Sequence, residues 1–309
     1  TACVTCVDPL TQYRSRMLKK ILSGWKPSDP VTYRRAYERF GGSVCAHPSV
    51  LSHLDERGSG TVRFYHKEVD GEIVGAYFAD GKDVIAHPAS NVPVILENII
   101  LPMAPGHRTY LPAKSKRLYG RHQGQFMNFA YGAVNPRAVC LVKGDFSAKS
   151  NKKRRAELNK FLGDGGEVRD IDGFSDHDLG EIYAELFTRR WHGELPCQSP
   201  GDIARFIGAI RPMMFGHILL HKGRPCAYDL IYAADCPRWI YFDDHNGGMD
   251  PELNHFGLGT ILLWLNVQAA KRRCLEQGKE MIFSLGSAAS RWSYKKRWGD
   301  EHRLGRSLI

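Results

Sequence analysis

Apolar side chains recur at Leu10, Tyr13, Met17, Ile21 and Trp25, one side of a helix, while Arg14, Arg16, Lys19 and Lys20 stand around the rest. The spacing predicts a basic amphipathic helix over 10–25, either packed on its own domain or laid on an anionic membrane surface. Tyr33, Ala36, Tyr37 and Phe40 share one face of a second helix over 32–40, which Gly41 and Gly42 stop. Pro48 can open a third helix that runs to Arg57. The pattern then turns to alternation. Residues 61–80, TVRFYHKEVDGEIVGAYFAD, hold two runs of β-formers about Asp70-Gly71 and predict a hairpin. Further short strands are expected over 91–103, 108–114 and 137–144.

The character changes at Phe146. SAKSNKKRRAELNKFLGDGG reads as a basic helix ended by glycines, and EVRDI as a strand. DHDLGEIYAELFTRRW reads as a helix capped by Ser175, with an apolar stripe of Leu179, Ile182, Tyr183, Leu186 and Phe187. Another helix near 202–210 precedes a second hairpin, FGHILLHKGRPCAYDLIYAAD, turning at 222–225. The two hairpins resemble each other, with His66-Lys67 and His221-Lys222 before their turns and Ala76-Tyr77 and Ala227-Tyr228 after them. Each follows two helices, so two copies of one unit are expected.

HNGGMDPELNHFGLGTILLW, residues 245–264, begins as turn chemistry and passes through Gly257 and Gly259 into a helix that should reach Gln277. The strand EMIFSLG and a basic aromatic segment, SRWSYKKRWGD, follow. The order helix, helix, hairpin, strand, glycine loop, helix, strand matches the GNAT type of acyltransferase fold. The expectation is an α/β (α+β) protein of two tandem GNAT-like units, with mixed sheets flanked by helices. In that fold the loop after the fourth strand turns backbone N–H groups toward the pyrophosphate of coenzyme A, and the next helix adds its positive end. Gly257, Gly259 and Thr260 are the candidates for this role. The cation expected a few positions earlier is absent, Asn254 and His255 standing there instead. The alternative is that the glycines only let the loop turn and the helix approach the sheet.

Asp243 and Asp244, at the end of the fourth strand, are candidates for the base that deprotonates an attacking amine. Neighbours on a strand face opposite sides, so only one can enter a cleft. Tyr294 can protonate a leaving group, or serve as a packing aromatic. Lys295 and Arg297 can hold donor phosphates, or form a solvated face.

The chain has 309 residues, enough for two domains, and its 43% hydrophobic and 25% charged content is ordinary for a globular protein. No apolar run approaches a membrane span, and no signal peptide shows. Eight cysteines without a dense framework favour a reduced, cytoplasmic chain, peripheral on the inner membrane if the leader binds there. Cys3 and Cys6 form a C-x-x-C without the second pair or histidines a zinc site needs, so no metal is expected. The net charge of +10 asks for an anionic partner: a phosphate-bearing donor, nucleic acid or the inner-membrane surface. The basic run at 149–155 spreads around its helix, and no zinc finger or helix-turn-helix is visible, which argues against DNA.

RRAYERFGGSVCAHPSVL (34–51), ENIILPMA (97–104), AKSKRL (113–118), AELNKF (156–161), NGGMD (246–250) and LGRSLI (304–309) resemble the Mig-fourteen proteins, over about 32–309. That resemblance implies a bacterial, GNAT-like protein with a role in resistance to cationic antimicrobial peptides and in macrophage survival, associated with the inner membrane. It supplies no catalytic residues. The C-terminal half is also similar to Fem-type peptidyltransferases. Arg154, Arg155 and Leu158 fit the helix that begins such domains, and Tyr294, Lys295 and Gly299 fit their late segment. These enzymes carry tandem units and use aminoacyl-tRNA, so the implied donor is acyl-CoA or aminoacyl-tRNA. The expected organisation is a leader over 1–29, an N-terminal unit over 30–145 and a C-terminal unit over 146–309 that carries the donor cleft. A non-catalytic scaffold at the membrane and a DNA-binding regulator are the alternatives to an acyltransferase.

Overall fold

The computed structural model describes residues 22–56, 62–87, 93–133 and 136–309. Most of the expected leader helix, the Cys3–Cys6 pair and Arg57 lie outside the described residues. The far end of the leader departs from expectation. Gly24, at φ +74, ends the helical path, and Trp25 opens a strand, β1 (Trp25–Ser28). The Trp25 ring packs edge-on to Tyr77 at 4.8 Å, and its Nε1 donates to Tyr110 O at 2.8 Å.

Asp29 caps α1 (Pro30–Phe40) by accepting from Thr32 N–H, and the helix buries the four expected residues, Tyr33, Ala36, Tyr37 and Phe40. After α2 (Pro48–Glu56), strands β2 (Arg63–Val69) and β3 (Glu72–Ala79) form the first hairpin, and β1 adds to β2 to complete a three-stranded antiparallel sheet. The strands expected over 91–103 and 108–114 do not form. Pro93, Pro102, Pro105 and Pro112 each lack the N–H a ladder needs, and Asn98 adopts φ +54. Isolated bridges hold this segment instead, among them Met103 with Gly75 and Ile99 with Leu118. β4 (Phe129–Tyr131) ends it.

β5 (Ala138–Val142) precedes the boundary expected at 145, yet it pairs in the second sheet. Then come α3 (Ala148–Gly163), β6 (Gly166–Asp170) and α4 (Asp176–Trp191), the last opened by a reciprocal capping box between Ser175 and Asp178. α5 (Pro200–Ala209), β7 (Met214–Phe215), β8 (His217–His221), β9 (Arg224–Asp235) and β10 (Trp239–Met249) lead into α6 (Leu258–Glu276). β11 (Glu280–Ser287), β12 (Gly299–Arg303) and β13 (Gly305–Ser307) finish the chain. The large sheet runs β12-β5-β11-β10-β9-β8-β6, with β7 beside β9, and β13 pairs with β4. Every pairing is antiparallel except β10 with β11.

Asn246, Gly247 and Gly248, expected as turn residues, are strand. Gly247 and Gly248 pair with Asp229 and Tyr228 of β9. Their glycines serve close approach instead: a Cβ at Gly248 would stand 2.8 Å from Leu186 Cβ and would also strike the Tyr228 ring. Alternation then sorts β10. Ile240 and Phe242 join a cluster with Leu263, Trp264 and Val267 of α6, whereas Trp239 and Tyr241 face the cluster built with α1, α4 and α5. The N-terminal half is sewn to that second face. Asn98 Nδ2 donates to Tyr241 Oη at 3.0 Å, and Tyr232 Oη donates to Pro93 O at 2.8 Å. Helix, helix, hairpin thus occurs twice, as α1-α2-β2-β3 and α4-α5-β8-β9.

Candidate active site

β10 and β11 run parallel only from Trp239 beside Glu280 to Asp243 beside Ser284. Beyond that rung β10 follows β9, with His245 as an extra residue where the register jumps from Asp244 to Asn246. β11 meanwhile continues against β5. The two strands part, and a cleft of about 590 Å³ opens beside their ends.

The start of α6 forms one wall, through Gly257, Gly259 and Thr260. Gly257 caps the helix at φ +70 and no side chain caps the first turn. A Cβ at Gly259 would stand 2.7 Å from Met249 Cε, so the absence of a side chain lets Met249 lie across the helix start. Gly259 therefore serves close packing and borders the cleft at once.

Asp244, Tyr294, Lys295 and Arg297 line the same cleft. Asp243 is 5% exposed and is not among the lining residues; it sits on the face of Trp239 and Tyr241. Lys295 is turned to β11: its Nζ donates to Leu285 O and, at 3.1 Å, to Ser287 O. This ties down the strand that leaves β10.

Three charged lining residues were not found from the sequence. Arg190 closes α4 and its Nη1 donates to Gly247 O. Glu97 comes from the irregular segment. Asp229 comes from β9, opposite Gly247, where a Cβ would lie 2.5 Å from Asp229 Oδ1. Asn266, fully buried on α6, donates to Asp229 Oδ2 at 3.2 Å, and its Oδ1 accepts from His217 N at 3.0 Å. A carboxylate inside the apolar run AYDLIY was the available signal for Asp229. Glu97 and Arg190 carry no such mark, because long-range packing brings them in.

Burial dominates the electrostatics. It pushes Asp244 up to about 6 against the pull of Lys295 and Arg190. It holds Asp229 well above the carboxylate range, reinforced by Asp244. Asp243 rises to about 8 through burial, then through Asp244 and Glu97. Burial lowers His245 to about 4, leaving a neutral imidazole, and raises Tyr294, which keeps its proton. At neutral pH the cleft therefore holds an ionised carboxylate with high proton affinity beside a protonated phenol.

Among the described residues no cluster of His, Cys, Asp and Glu is suited to a metal ion, and no helix is long and apolar enough to cross a membrane.

Comparison with solved structures shows the fold. FemX aligns at TM-score 0.57 with 10% identity, covering 92% of this chain and 97% of its own. L-PGS from Bacillus licheniformis aligns at 0.48 with 13% identity and 92% coverage of both chains. A tandem GNAT protein from the clavulanic acid biosynthesis pathway aligns at 0.45 with 10% identity, covering 92% of this chain and 97% of its own. The architecture is that of FemX: mixed sheets flanked by helices, with the helix, helix, hairpin unit present twice. No curated protein matches by sequence. A family model described as Mig-14 matches residues 47–306.

Proposed function

The chain belongs to the Mig-14 family, and from its cleft we propose that it transfers an acyl or aminoacyl group from a phosphate-bearing donor to an amine. The observation that carries this is the parting of β10 and β11 after Asp243 and Ser284, beside the uncapped start of α6. That geometry offers backbone N–H groups and a helix dipole to phosphate oxygens on one wall, and titratable groups on the other. Acyl-CoA and aminoacyl-tRNA both supply such phosphates, and the resemblance to Fem-type enzymes favours the second.

In this reading Asp244 is the general base. With a pKa near 6 it is ionised at neutral pH and takes the proton as the amine attacks the donor carbonyl. Tyr294, raised by burial, gives its proton to the leaving thiolate or hydroxyl. A C–N bond forms, the C–S or C–O bond breaks, and one proton moves in at Asp244 and one out at Tyr294. Arg297 and the first turn of α6 hold the donor, while Lys295 fixes the end of β11 and favours the ionised form of Asp244. We place the activity in resistance to cationic antimicrobial peptides, at the inner face of the membrane, on the strength of the family.

The test is mass spectrometry of a lysine-rich peptide incubated with the protein and acetyl-CoA or charged tRNA. One donor should add its acyl mass, and Asp244→Asn should slow this by roughly a hundredfold or more. An unchanged peptide with every donor, or an unchanged rate in the variant, would refute the reading.

A further inference from the structure

Three acidic residues from three separate elements line the cleft: Asp229 of β9 and Asp244 of β10, which act on each other, and Glu97 of the irregular segment. This is unexpected in a chain of net charge +10. Among the described residues none of the three forms a salt bridge. Arg190 and Lys295 beside the two aspartates are engaged with carbonyls, Arg190 with Gly247 O and Lys295 with Leu285 O and Ser287 O, while Arg117 and Arg137 act on Glu97. Glu97 Oε2 and, on the same walls, His245 Nδ1 are sealed from solvent without a hydrogen-bond partner. His245 is enclosed enough to stay neutral, so its ring offers one N–H and one acceptor nitrogen. Burial raises all three acids, and buried acceptors are costly unless something donates to them, which a cation entering the cleft would do as it draws these acids to the ionised form.

Building on the transfer reading of this cleft, we infer that Asp229, Asp244 and Glu97 form a subsite for an alkylammonium group of the substrate. An ammonium carries three donors and a compact charge, which suits acceptors that line one cleft from different elements. The hydrogen bond from Asn266 orients Asp229 for this role, and Gly247 leaves the room that Asp229 occupies. The ammonium can belong to the side chain of an acceptor or to the α-amino group of a transferred aminoacyl group. The recognition chemistry is the same.

Four probes separate these sources: lysinamide, its Nα-acetyl form, its Nε-acetyl form and the doubly acetylated form. Each is titrated calorimetrically into the full chain without any donor. At least one singly acetylated probe should bind about tenfold or more tightly than the neutral one, the scale of a hydrogen-bonded charge. Preference for the Nα-acetyl probe assigns the subsite to a side-chain ammonium, and preference for the Nε-acetyl probe assigns it to an α-amino group. Asp229→Asn and Asp244→Asn should each abolish the preference. Glu97→Gln, in a segment outside the sheets, provides a variant should either aspartate change impair folding, and it should weaken the preference. Equal binding of charged and neutral probes, no binding at all, or an intact preference in folded variants would overturn the subsite. Since no donor is present, failure here leaves donor binding and transfer to be measured separately, and failure of transfer leaves an ammonium preference standing.

Discussion

Asp243 and Asp244 are neighbours in the chain with opposite surroundings, and each makes a separate prediction. Asp243 is packed between the sheet and the N-terminal half, with its pKa raised from 3.8 to about 8. The folded state binds this proton more tightly than the unfolded state. Its stabilising effect is complete below about pH 4 and is lost as the pH rises through about 8. The melting temperature of the wild type should fall over that window, and Asp243→Asn should flatten the fall by several degrees. Asp244 faces Asp229, Arg190, Lys295 and Tyr294. If it is the base, kcat/KM should rise with pH through about 6, and this limb should vanish in Asp244→Asn. The pair was legible as two acids at a strand end, and the period of two showed that one alone could enter a cleft. Which one did so depended on the bulge at His245 and on the packing of both sheet faces, and neither is written in a local pattern.

Among the elements, helices were the most legible, because caps and apolar stripes are local signals. Ser175 caps α4 as its place suggested, with Asp178 completing the box, and Asp29, which the pattern did not single out, caps α1 through Thr32 N–H. The irregular segment was misread because its apolar residues resemble strands while its prolines forbid a ladder. The HNGG stretch was misread in the opposite direction. Its glycines suggested a turn, but they lie in β10, where α4 and β9 come too close for side chains. Gly248→Ala would press a methyl against Leu186 and Tyr228 and should cost about 1–3 kcal/mol. A lowered urea midpoint at unchanged m-value would show this, and an unchanged midpoint would count against the close packing. Met249→Ala bears on the other glycine. Removing the side chain that lies across Gly259 should raise donor affinity, whereas a role in packing alone would lower stability and leave affinity unchanged.

At the scale of the molecule, the repeat of helix, helix, hairpin and the order of the later elements were enough to point to tandem GNAT-like units, a fold the FemX likeness shares. The cleft was legible as a place, since Gly257, Gly259, Thr260, Asp244, Tyr294, Lys295 and Arg297 line it. Its acidic side beyond Asp244 was not, since Glu97 and Asp229 come from regions far from it in the chain. The charge of +10 gives one way to tell the donors apart. Affinity for a charged tRNA should fall steeply between low and physiological salt, and affinity for coenzyme A should fall less. The central claim is that the start of α6 holds the phosphates of the donor, and titration of coenzyme A, acetyl-CoA and aminoacyl-tRNA into the wild type and Gly259→Val tests it most directly. One of these should bind the wild type and lose at least about tenfold in affinity in the variant, which should melt within a few degrees of the wild type because Met249 ends in a flexible methyl. Binding of none of them to the wild type, or undiminished affinity in Gly259→Val, would contradict the account and leave the glycines serving the fold alone.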